Sequence, residues 1–273
     1  DGRLVACVNT LSNDVSVFET QTMTAIGTFA CGDGASDIAA VGNSSFAVVN
    51  SFADSVTVID AAAGDTRLIE GIGRVPNAIA SSEQIVAVTT RVPSAVVFLG
   101  LGSGSSVTSR KRVELPATPM TILAEPEGRF LVATETELIR VDARTGELLE
   151  RVERTVQDLS SHDGRVYALS NRELIELDAE LKIFSAIPLG VPVTRLDYPG
   201  SAVVLVSPTK DVWWVMGTRR GASREGRQPA EMEPLEPIKP EPESPPSPQS
   251  EPRKETSPAP TKPELATPVP AKP

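Results

Sequence analysis

The sequence is poor in the side chains that enzymes most often use at a reacting centre. His162 is its single histidine, and Cys7 and Cys31 are its two cysteines. A serine or cysteine nucleophile needs a neighbouring base, and transition-metal sites are usually built from several histidines or cysteines. His162 stands next to Asp163-Gly164 in a predicted surface turn, and the sequence has no Gly-x-Ser-x-Gly motif. We therefore expect a non-enzymatic protein with no catalytic residues, no bound metal and no cofactor.

Aromatic residues and long apolar runs are also scarce. Aromatic residues make up 4% of the chain, so Val, Ile, Leu and Ala must fill the core. No run of about 18 apolar residues occurs, which excludes a membrane-spanning helix. The formal charge of −10 is spread along the chain and argues against nucleic acid as a partner, because phosphates bind faces rich in Lys and Arg.

The two cysteines are not predicted to form a disulfide. Cys7 lies within a predicted strand, and Cys31 follows the outer strand of the same repeat. With one strand between theirs, they are separated by roughly 10 Å, which exceeds the usual span of a disulfide. We expect two free thiols that are buried as small hydrophobic side chains.

The main feature that the sequence does contain is a repeat. Val5–Glu19 (VACVNTLSNDVSVFE) matches Phe46–Asp60 (FAVVNSFADSVTVID), with Asn9 corresponding to Asn50. Each copy has two β-rich runs around a small polar turn. Weaker copies begin at Ile85, Phe130, Val166 and Val203. A repeat of roughly 35–45 residues built from short strands is typical of a β-propeller.

Each repeat can be divided into four strands. In the second repeat these are an inner strand Asp37–Val41, then Phe46–Val49 and Val56–Ile59, and an outermost strand Thr66–Ile69. The first repeat lacks an inner strand and the last lacks an outer one. The sequence therefore predicts an all-β fold over residues 1–220, a β-propeller of about six four-stranded blades whose first and last blades are incomplete. A truncated seven-blade parent is the alternative.

Residues 221–273 have a different composition from the repeats. Pro, Glu, Lys, Ser and Thr dominate, and such a segment cannot bury enough apolar surface to offset the entropy of ordering. We predict a disordered proline-rich tail. Pro234, Pro237 and Pro240 would line one face of a polyproline II helix, so the tail is either a spacer or a ligand for a proline-recognising module.

The first two repeats resemble the YVTN-type β-propeller repeat. That pattern reads Tyr-Val-Thr-Asn, then Ser-Asn-x-Val-Ser-Val-Ile-Asp, then Gly-x-x-Pro before the next inner strand. Here Val8-Asn9 and Val49-Asn50 match the first element, although the tyrosine is replaced, and Gly73–Pro76 matches the last. The resemblance implies a WD-like propeller and slightly favours an extracellular or cell-surface location, since relatives include surface-layer proteins and secreted binding modules. Similar propellers also include lactonases and copper- or haem-binding domains, so the repeat specifies a scaffold rather than an activity.

In a propeller, the starts of the inner strands and the turns between second and third strands emerge on one face, called here the loop face. The polar residues predicted to bind a protein loop or a small polar ligand on this face are Asp37, Asn77, Asp158, Arg195, Arg91 and Arg172. Ordinary solvated loops explain the same residues. Trp213 and Trp214, adjacent in the last predicted strand, form a possible contact surface at an open sheet edge.

The function favoured by these patterns is a protein-binding scaffold with a flexible tail. One alternative is an exported structural protein of the cell surface, with the tail as a spacer. Another is a lactonase-like enzyme, which requires a cluster of titratable residues at the mouth of the propeller channel.

Overall fold

The described part of the chain folds into six antiparallel β-sheets. The computed structural model describes residues 2–102, 106–170, 172–190, 192–197, 202–207 and 212–217. Within these residues the first and last sheets have three strands and the other four have four, which confirms the predicted propeller with incomplete first and last blades. The chain divides into two compact units, Asp1–Leu235 and Glu236–Pro273. The second unit and the predicted tail lie outside the described residues.

Consecutive strands pair within each sheet, so the spatial order follows the chain order. The sheets are called blades 1 to 6 in chain order. The strands of blades 1 to 3 are β1 (Leu4–Asn9), β2 (Asp14–Glu19), β3 (Ala25–Ala30); β4 (Ala35–Val41), β5 (Ser45–Asn50), β6 (Ser55–Asp60), β7 (Asp65–Ile69); β8 (Arg74–Ser82), β9 (Ile85–Val92), β10 (Ser94–Leu101) and β11 (Val107–Glu114). Those of blades 4 to 6 are β12 (Pro119–Ala124), β13 (Arg129–Thr134), β14 (Leu138–Asp142), β15 (Leu148–Val152); β16 (Asp158–His162), β17 (Arg165–Ser170), β18 (Glu173–Leu177), β19 (Ile183–Pro188); β20 (Arg195–Asp197), β21 (Ala202–Ser207) and β22 (Val212–Gly217).

The core lies between neighbouring blades rather than at one centre. The described residues form five apolar clusters, one at each junction from blades 1 and 2 to blades 5 and 6. Between blades 1 and 2, for example, Val15 and Val17 pack with Phe46, Val48 and Ile59. Strands covered on both faces carry nearly continuous apolar runs, which is why alternation is weak in the sequence. The predicted aliphatic core is confirmed.

The turns after the third strands have the chemistry that their residues predict. The Asp60 carboxylate accepts hydrogen bonds from the N–H groups of Ala62 and Ala63, both at 3.1 Å. Gly64 closes this turn with φ +74°, and Gly146 closes the matching turn of blade 4 with φ +81°. A short acidic side chain followed by a residue of positive φ is a compact way to end a strand.

Blade 4 contains a buried ion pair that the repeat pattern does not predict. The Arg140 side chain is 5% exposed and donates two hydrogen bonds to Glu125, at 2.6 and 2.9 Å. It also donates to Glu150 at 2.8 Å and to the carbonyl of Ala179, beyond blade 4, at 2.9 Å. A buried guanidinium is tolerated because its donors are paired.

The cysteine prediction is half correct. Both thiols are free, as expected, and burial raises the pKa of the half-buried Cys31 to about 11. The expectation that Cys7 is buried is wrong, because this side chain is exposed. The cause is its position on β1, beside which the described part of blade 1 has no inner strand.

Among the residues that the structure describes, helical structure is limited to the 3₁₀ helix at Pro126–Gly128. No helix in the described part of the chain combines the length and the apolar character needed to cross a bilayer.

Candidate functional site

The inner strands of blades 2 to 6 surround a cavity of about 550 Å³. Polar side chains at its wall come from Asp37, Thr121, Asp158, Arg195 and Asp197. Apolar lining comes from the following residues: Ile38, Ile79, Ile122, Leu159, Leu196, Val204 and Val206. The channel of the propeller is therefore a polar site with an aliphatic wall.

One register position of the repeat supplies most of the polar groups. Asp37, Thr121, Asp158 and Arg195 each lie opposite the same position of the adjacent second strand, occupied in turn by Val49, Ala133, Leu169 and Val206. Blade 3 places Ala78 at this position, opposite Thr89. Variation at one position of the repeat thus creates the polar character of the channel.

The two carboxylates at this position join adjacent blades. Asp37 accepts one hydrogen bond from the N–H of Ile38 and a second from the N–H of Ile79 in blade 3, both at 3.0 Å. Asp158 repeats the arrangement with Leu159 at 3.1 Å and with Leu196 of blade 6 at 2.8 Å. Each carboxylate therefore ties its own inner strand to the next one.

The channel wall perturbs both carboxylates. Burial raises the pKa of Asp37 and of Asp158, while the two backbone N–H donors and the nearby charge of Arg195 act in the opposite direction. The charge of Asp158 further raises the pKa of Asp37, and that of Asp197 further raises the pKa of Asp158. Three carboxyl groups and one guanidinium share the channel, which suits a polar or cationic group.

No group of three or more His, Cys, Asp or Glu side chains within the described ranges is arranged to hold a metal ion. His162 ends β16, and its side chain is 30% exposed with Nε2 at 3.5 Å from the Asp163 carboxylate. The sequence placed it in an exposed turn, whereas the structure has it half-buried at the end of the strand, paired with Arg165 directly before that turn.

The remaining predicted binding residues lie outside the cavity wall. Asn77 bridges blades 3 and 4, because its side-chain amide donates to the carbonyls of Pro119 at 3.1 Å and Met120 at 3.2 Å. Arg91 is exposed near the end of β9, and Arg172 is exposed in the turn before β18 with φ +72°. The structure thus brings Asp37, Asp158 and Arg195 together and leaves Asn77, Arg91 and Arg172 apart from them. Their role in binding stays a prediction.

Trp213 and Trp214 lie on β22, the last strand of blade 6 in the described residues. Their register partners on β21 are Val206 and Leu205. The surroundings of both indole side chains lie outside what the structure describes, so the predicted edge contact stays a prediction.

Exposed apolar side chains on the loop face were missed by the sequence reasoning. Leu11 and Phe52 occupy equivalent turns of blades 1 and 2, with relative exposures of 103% and 86%. Val75 (40%), Val92 (48%) and Met120 (39%) are exposed at the same end of blades 3 and 4. These five residues are called the apolar arc. The sequence signal that could have identified them is an apolar residue at the tip of an otherwise polar turn.

Hydrogen bonds to the next blade hold the two turns that carry Leu11 and Phe52. The Asn13 side chain accepts a hydrogen bond from the N–H of Gly34 at 2.9 Å, and Asp54 accepts one from the N–H of Val75 at 2.8 Å. The Phe52 ring lies against Gly34, where a Cβ atom would be 2.9 Å from it. The turns that carry Leu11 and Phe52 are therefore each fixed to the entry loop of the next blade.

Val75, one member of the apolar arc, adopts an unusual backbone conformation. Its φ is +52°, a left-handed conformation in which a β-branched residue is strained. The hydrogen bond from its N–H to Asp54 helps to hold it there. Backbone strain of this kind concentrates at functional surfaces, and here it lies in the apolar arc.

No protein-family model matches the sequence, and no curated protein matches it. Solved structures do match the fold. The WD40 repeats of RRP9 superimpose with a TM-score of 0.66 at 14% identity, over 76% of this chain and 70% of that chain. The Neurospora crassa Pan2 WD40 domain gives a TM-score of 0.63 at 8% identity, over 80% and 72%. The dihydro-heme d1 dehydrogenase NirN, in complex with DHE, superimposes with a TM-score of 0.62 at 13% identity, over 85% of this chain and 56% of that chain. The chain thus has the β-propeller fold that these structures share.

Proposed function

We propose that the chain is a non-enzymatic module that binds a protein partner on its loop face. The observation that carries this proposal is the apolar arc beside the polar mouth of the channel. Scattered apolar residues are common on protein surfaces, but a set of neighbouring ones rimmed by polar groups marks an interaction surface. Aromatic and large aliphatic side chains in such sets supply most of the binding free energy.

The arc and the channel mouth have complementary roles in this proposal. Phe52 and Leu11 bury apolar surface of the partner, and Val75, held by Asp54, extends that surface toward blade 3. Asp37 and Asp158 give the channel a negative character that attracts a cationic or polar side chain of the partner. The likeness to WD40 domains supports the scaffold, while the chemistry of the partner is inferred from these residues alone.

The same geometry argues against the lactonase-like alternative. Hydrogen bonds to the ionised form of a carboxyl lower its basicity, and a general base must also reach the substrate. Each oxygen of Asp37 and of Asp158 already accepts one backbone N–H group of the inner strands. We assign these carboxylates to holding the blades together rather than to proton transfer.

Two finer assignments belong to the same proposal. The matches at Asn9, Asn50 and Gly73–Pro76 support a repeat of the YVTN type. The composition of residues 221–273 supports a spacer or a ligand for a proline-recognising module. An exported surface protein with the tail as its spacer is the second form of this function.

The experiment compares two double variants of the full chain, each tagged and expressed in cells of its source. Leu11→Ser with Phe52→Ser removes the two most exposed apolar side chains of the arc. Leu68→Ser with Leu149→Ser is the control, since these residues are 50% and 43% exposed on the outer strands β7 and β15. Partners recovered with the unaltered chain are quantified by mass spectrometry.

We expect the arc variant to lose its partner by about tenfold or more, because each hot-spot truncation costs about 1–2 kcal/mol. The control variant should retain the partner. Equal retention by both variants would refute binding at the arc. Turnover of lactone or ester substrates by the purified chain at an enzyme-like rate would refute the non-enzymatic assignment.

A further inference from the structure

The charged groups of the channel cavity are unevenly distributed among the blades. At the register position described above, blades 2, 5 and 6 place Asp37, Asp158 and Arg195. At the same position blades 3 and 4 place the uncharged residues Ala78 and Thr121. The five blades follow one another through contacts between their inner strands, β4 with β8, β8 with β12, β12 with β16 and β16 with β20. The cavity therefore has a charged part and an uncharged part.

Arg195 supplies the positive charge of the cavity wall. Its side chain is exposed, and within the described ranges it forms neither a hydrogen bond nor an ion pair. Burial raises the pKa of Asp37 and of Asp158, and the charge of Arg195 acts on both carboxyl groups in the opposite direction. Arg195 thus lies within electrostatic range of two carboxylates while its N–H groups remain available. The acceptor that best matches a guanidinium is a carboxylate.

Asp37 and Asp158 keep the capacity to bind a cation although they tie the blades together. Each of their oxygens accepts one backbone N–H group, and a carboxylate oxygen has two lone pairs. Among the described residues no ion pair is formed by either carboxylate. An ammonium group has three donors and carries the opposite charge, so it can bind at the oxygens that face the cavity.

The uncharged part of the cavity is suited to an aliphatic group. Ile79 of blade 3 and Ile122 of blade 4 line it, and both are packed into the blades with exposures of 6% and 7%. Thr121 is the polar residue that blade 4 adds to this wall. The cavity volume of about 550 Å³ lies within the range of small-molecule sites, which combine apolar walls with a few polar groups.

We propose that the channel cavity binds a small zwitterion with an aliphatic side chain, of the chemical class of the free α-amino acids. Arg195 binds the carboxylate of the ligand. Asp158 of the adjacent blade binds its ammonium group, and the charge of Asp37 adds to the attraction. The aliphatic side chain of the ligand packs against Ile79 and Ile122.

Ligands of a single charge match the cavity less well. A simple cation is attracted by the carboxylates but repelled by Arg195, whose N–H groups it leaves without an acceptor. A simple anion meets the carboxyl groups of Asp37, Asp158 and Asp197 in the same cavity. The inference does not depend on the partner proposed for the apolar arc, because none of the five arc residues lines the cavity. A polar side chain of that partner would compete with the ligand at the channel mouth.

The test is isothermal titration calorimetry of the full chain with four probes that share one aliphatic group. L-leucine carries both charges, 3-methylbutylamine carries only the ammonium group, and 4-methylpentanoate carries only the carboxylate. Leucinamide keeps the ammonium group and has an amide in place of the carboxylate, as the amino terminus of a protein does. The variant is Arg195→Gln. Its matched control is Arg91→Gln, since Arg91 is another exposed arginine of the loop face and lies outside the cavity wall.

We expect L-leucine to bind with a Kd below about 1 mM and each of the other three probes to bind about tenfold more weakly or less. Arg195→Gln should weaken L-leucine by about tenfold or more, as expected for loss of a charge-assisted hydrogen bond, and should not weaken 3-methylbutylamine. Arg91→Gln should bind L-leucine as the unaltered chain does. Circular dichroism of both variants should match that of the unaltered chain, because both side chains are exposed.

Three outcomes would overturn the proposal. The first is no binding of L-leucine up to about 10 mM. The second is equal binding of L-leucine and 3-methylbutylamine without an effect of Arg195→Gln, which would make the cavity a site for cations alone. The third is equal binding of L-leucine and leucinamide, which would assign the cavity to the amino terminus of a partner. The Leu11→Ser, Phe52→Ser variant should bind L-leucine normally, so failure of this site and failure of the apolar arc are distinguishable.

Discussion

Val5–Glu19 in blade 1 and Phe46–Asp60 in blade 2 are the two clearest copies of the repeat, and they fold into the same hairpin with different surroundings. Val48 is completely buried, while Cys7 at the equivalent position is exposed. Asn50 is also completely buried, while Asn9 is half-buried. Local sequence thus determines strands and turns, whereas burial depends on the blades that stand on either side.

The comparison is most sharply tested by matched substitutions at the equivalent positions 48 and 7. Val48→Ser should lower the free energy of unfolding by about 2–4 kcal/mol, because it removes buried methyl groups and buries a hydroxyl group. Cys7→Ser should change it by less than about 0.5 kcal/mol. Urea denaturation followed by circular dichroism measures both. Equal losses would show that blade 1 is enclosed in solution.

The two asparagines provide a second, smaller test. Asn50 donates to the hydroxyls of Ser55 and Thr57 at 3.0 and 2.9 Å, and its carbonyl oxygen is buried without a partner among the described residues. Asn50→Ala should cost about 1–3 kcal/mol, since it strands buried hydroxyl groups. Asn9→Ala should cost less, because water can reach Asp14 and Ser16, to which Asn9 donates. Thermal unfolding measures both variants. A decrease in Tm for Asn9→Ala as large as that for Asn50→Ala would contradict the difference in burial between the two blades.

The smallest expected effect is a difference in how stability depends on pH at two carboxyl groups, the enclosed Asp37 and the more open Asp142. Burial raises the pKa of Asp37. Its favourable contribution to the stability of the fold is therefore complete below the ordinary Asp pKa and is lost as the pH rises through the raised pKa. The backbone N–H of Thr145 is the main cause of the lowered pKa of Asp142, whose contribution is present above the ordinary value and is lost as the pH falls through the lowered one.

Chemical denaturation of the wild type, Asp37→Asn and Asp142→Asn between about pH 7 and about pH 2 measures both pH dependences, because the loss at Asp142 occurs below the ordinary Asp pKa. As the pH falls, the stability of the wild type relative to Asp37→Asn should increase, and that relative to Asp142→Asn should decrease. Parallel curves for the two variants would contradict the assignment of Asp37 to an enclosed channel.

The parts of this fold that the sequence predicts are those encoded within one repeat. The strands, the turns at Asp60 and Asp142 and the incomplete first and last blades all follow from residues a few positions apart. The exposure of Cys7 could not be predicted in this way, because it depends on an inner strand that blade 1 lacks in the described residues. The Arg140 network could not be predicted either, since Glu125 and Ala179 lie in other elements.

The candidate site divides in the same way. Asp37, Asp158 and Arg195 were predicted because each is a polar residue at the start of a predicted inner strand. The roles of Asp37 and Asp158 as ties between blades depend on the backbone of the following repeat, which no local pattern contains. Leu11 and Phe52 were overlooked because each lies in a turn whose neighbours are polar.

The side-chain ties of Asn13, Asp37, Asp54 and Asp158 share one direction. Each belongs to a blade that precedes, in the chain, the backbone that it holds. During translation the acceptor side chain leaves the ribosome before the N–H group that it binds. Blades 1, 2 and 5 therefore each offer a docking point to the segment that emerges next, so these junctions can form from the amino-terminal side without waiting for the rest of the chain.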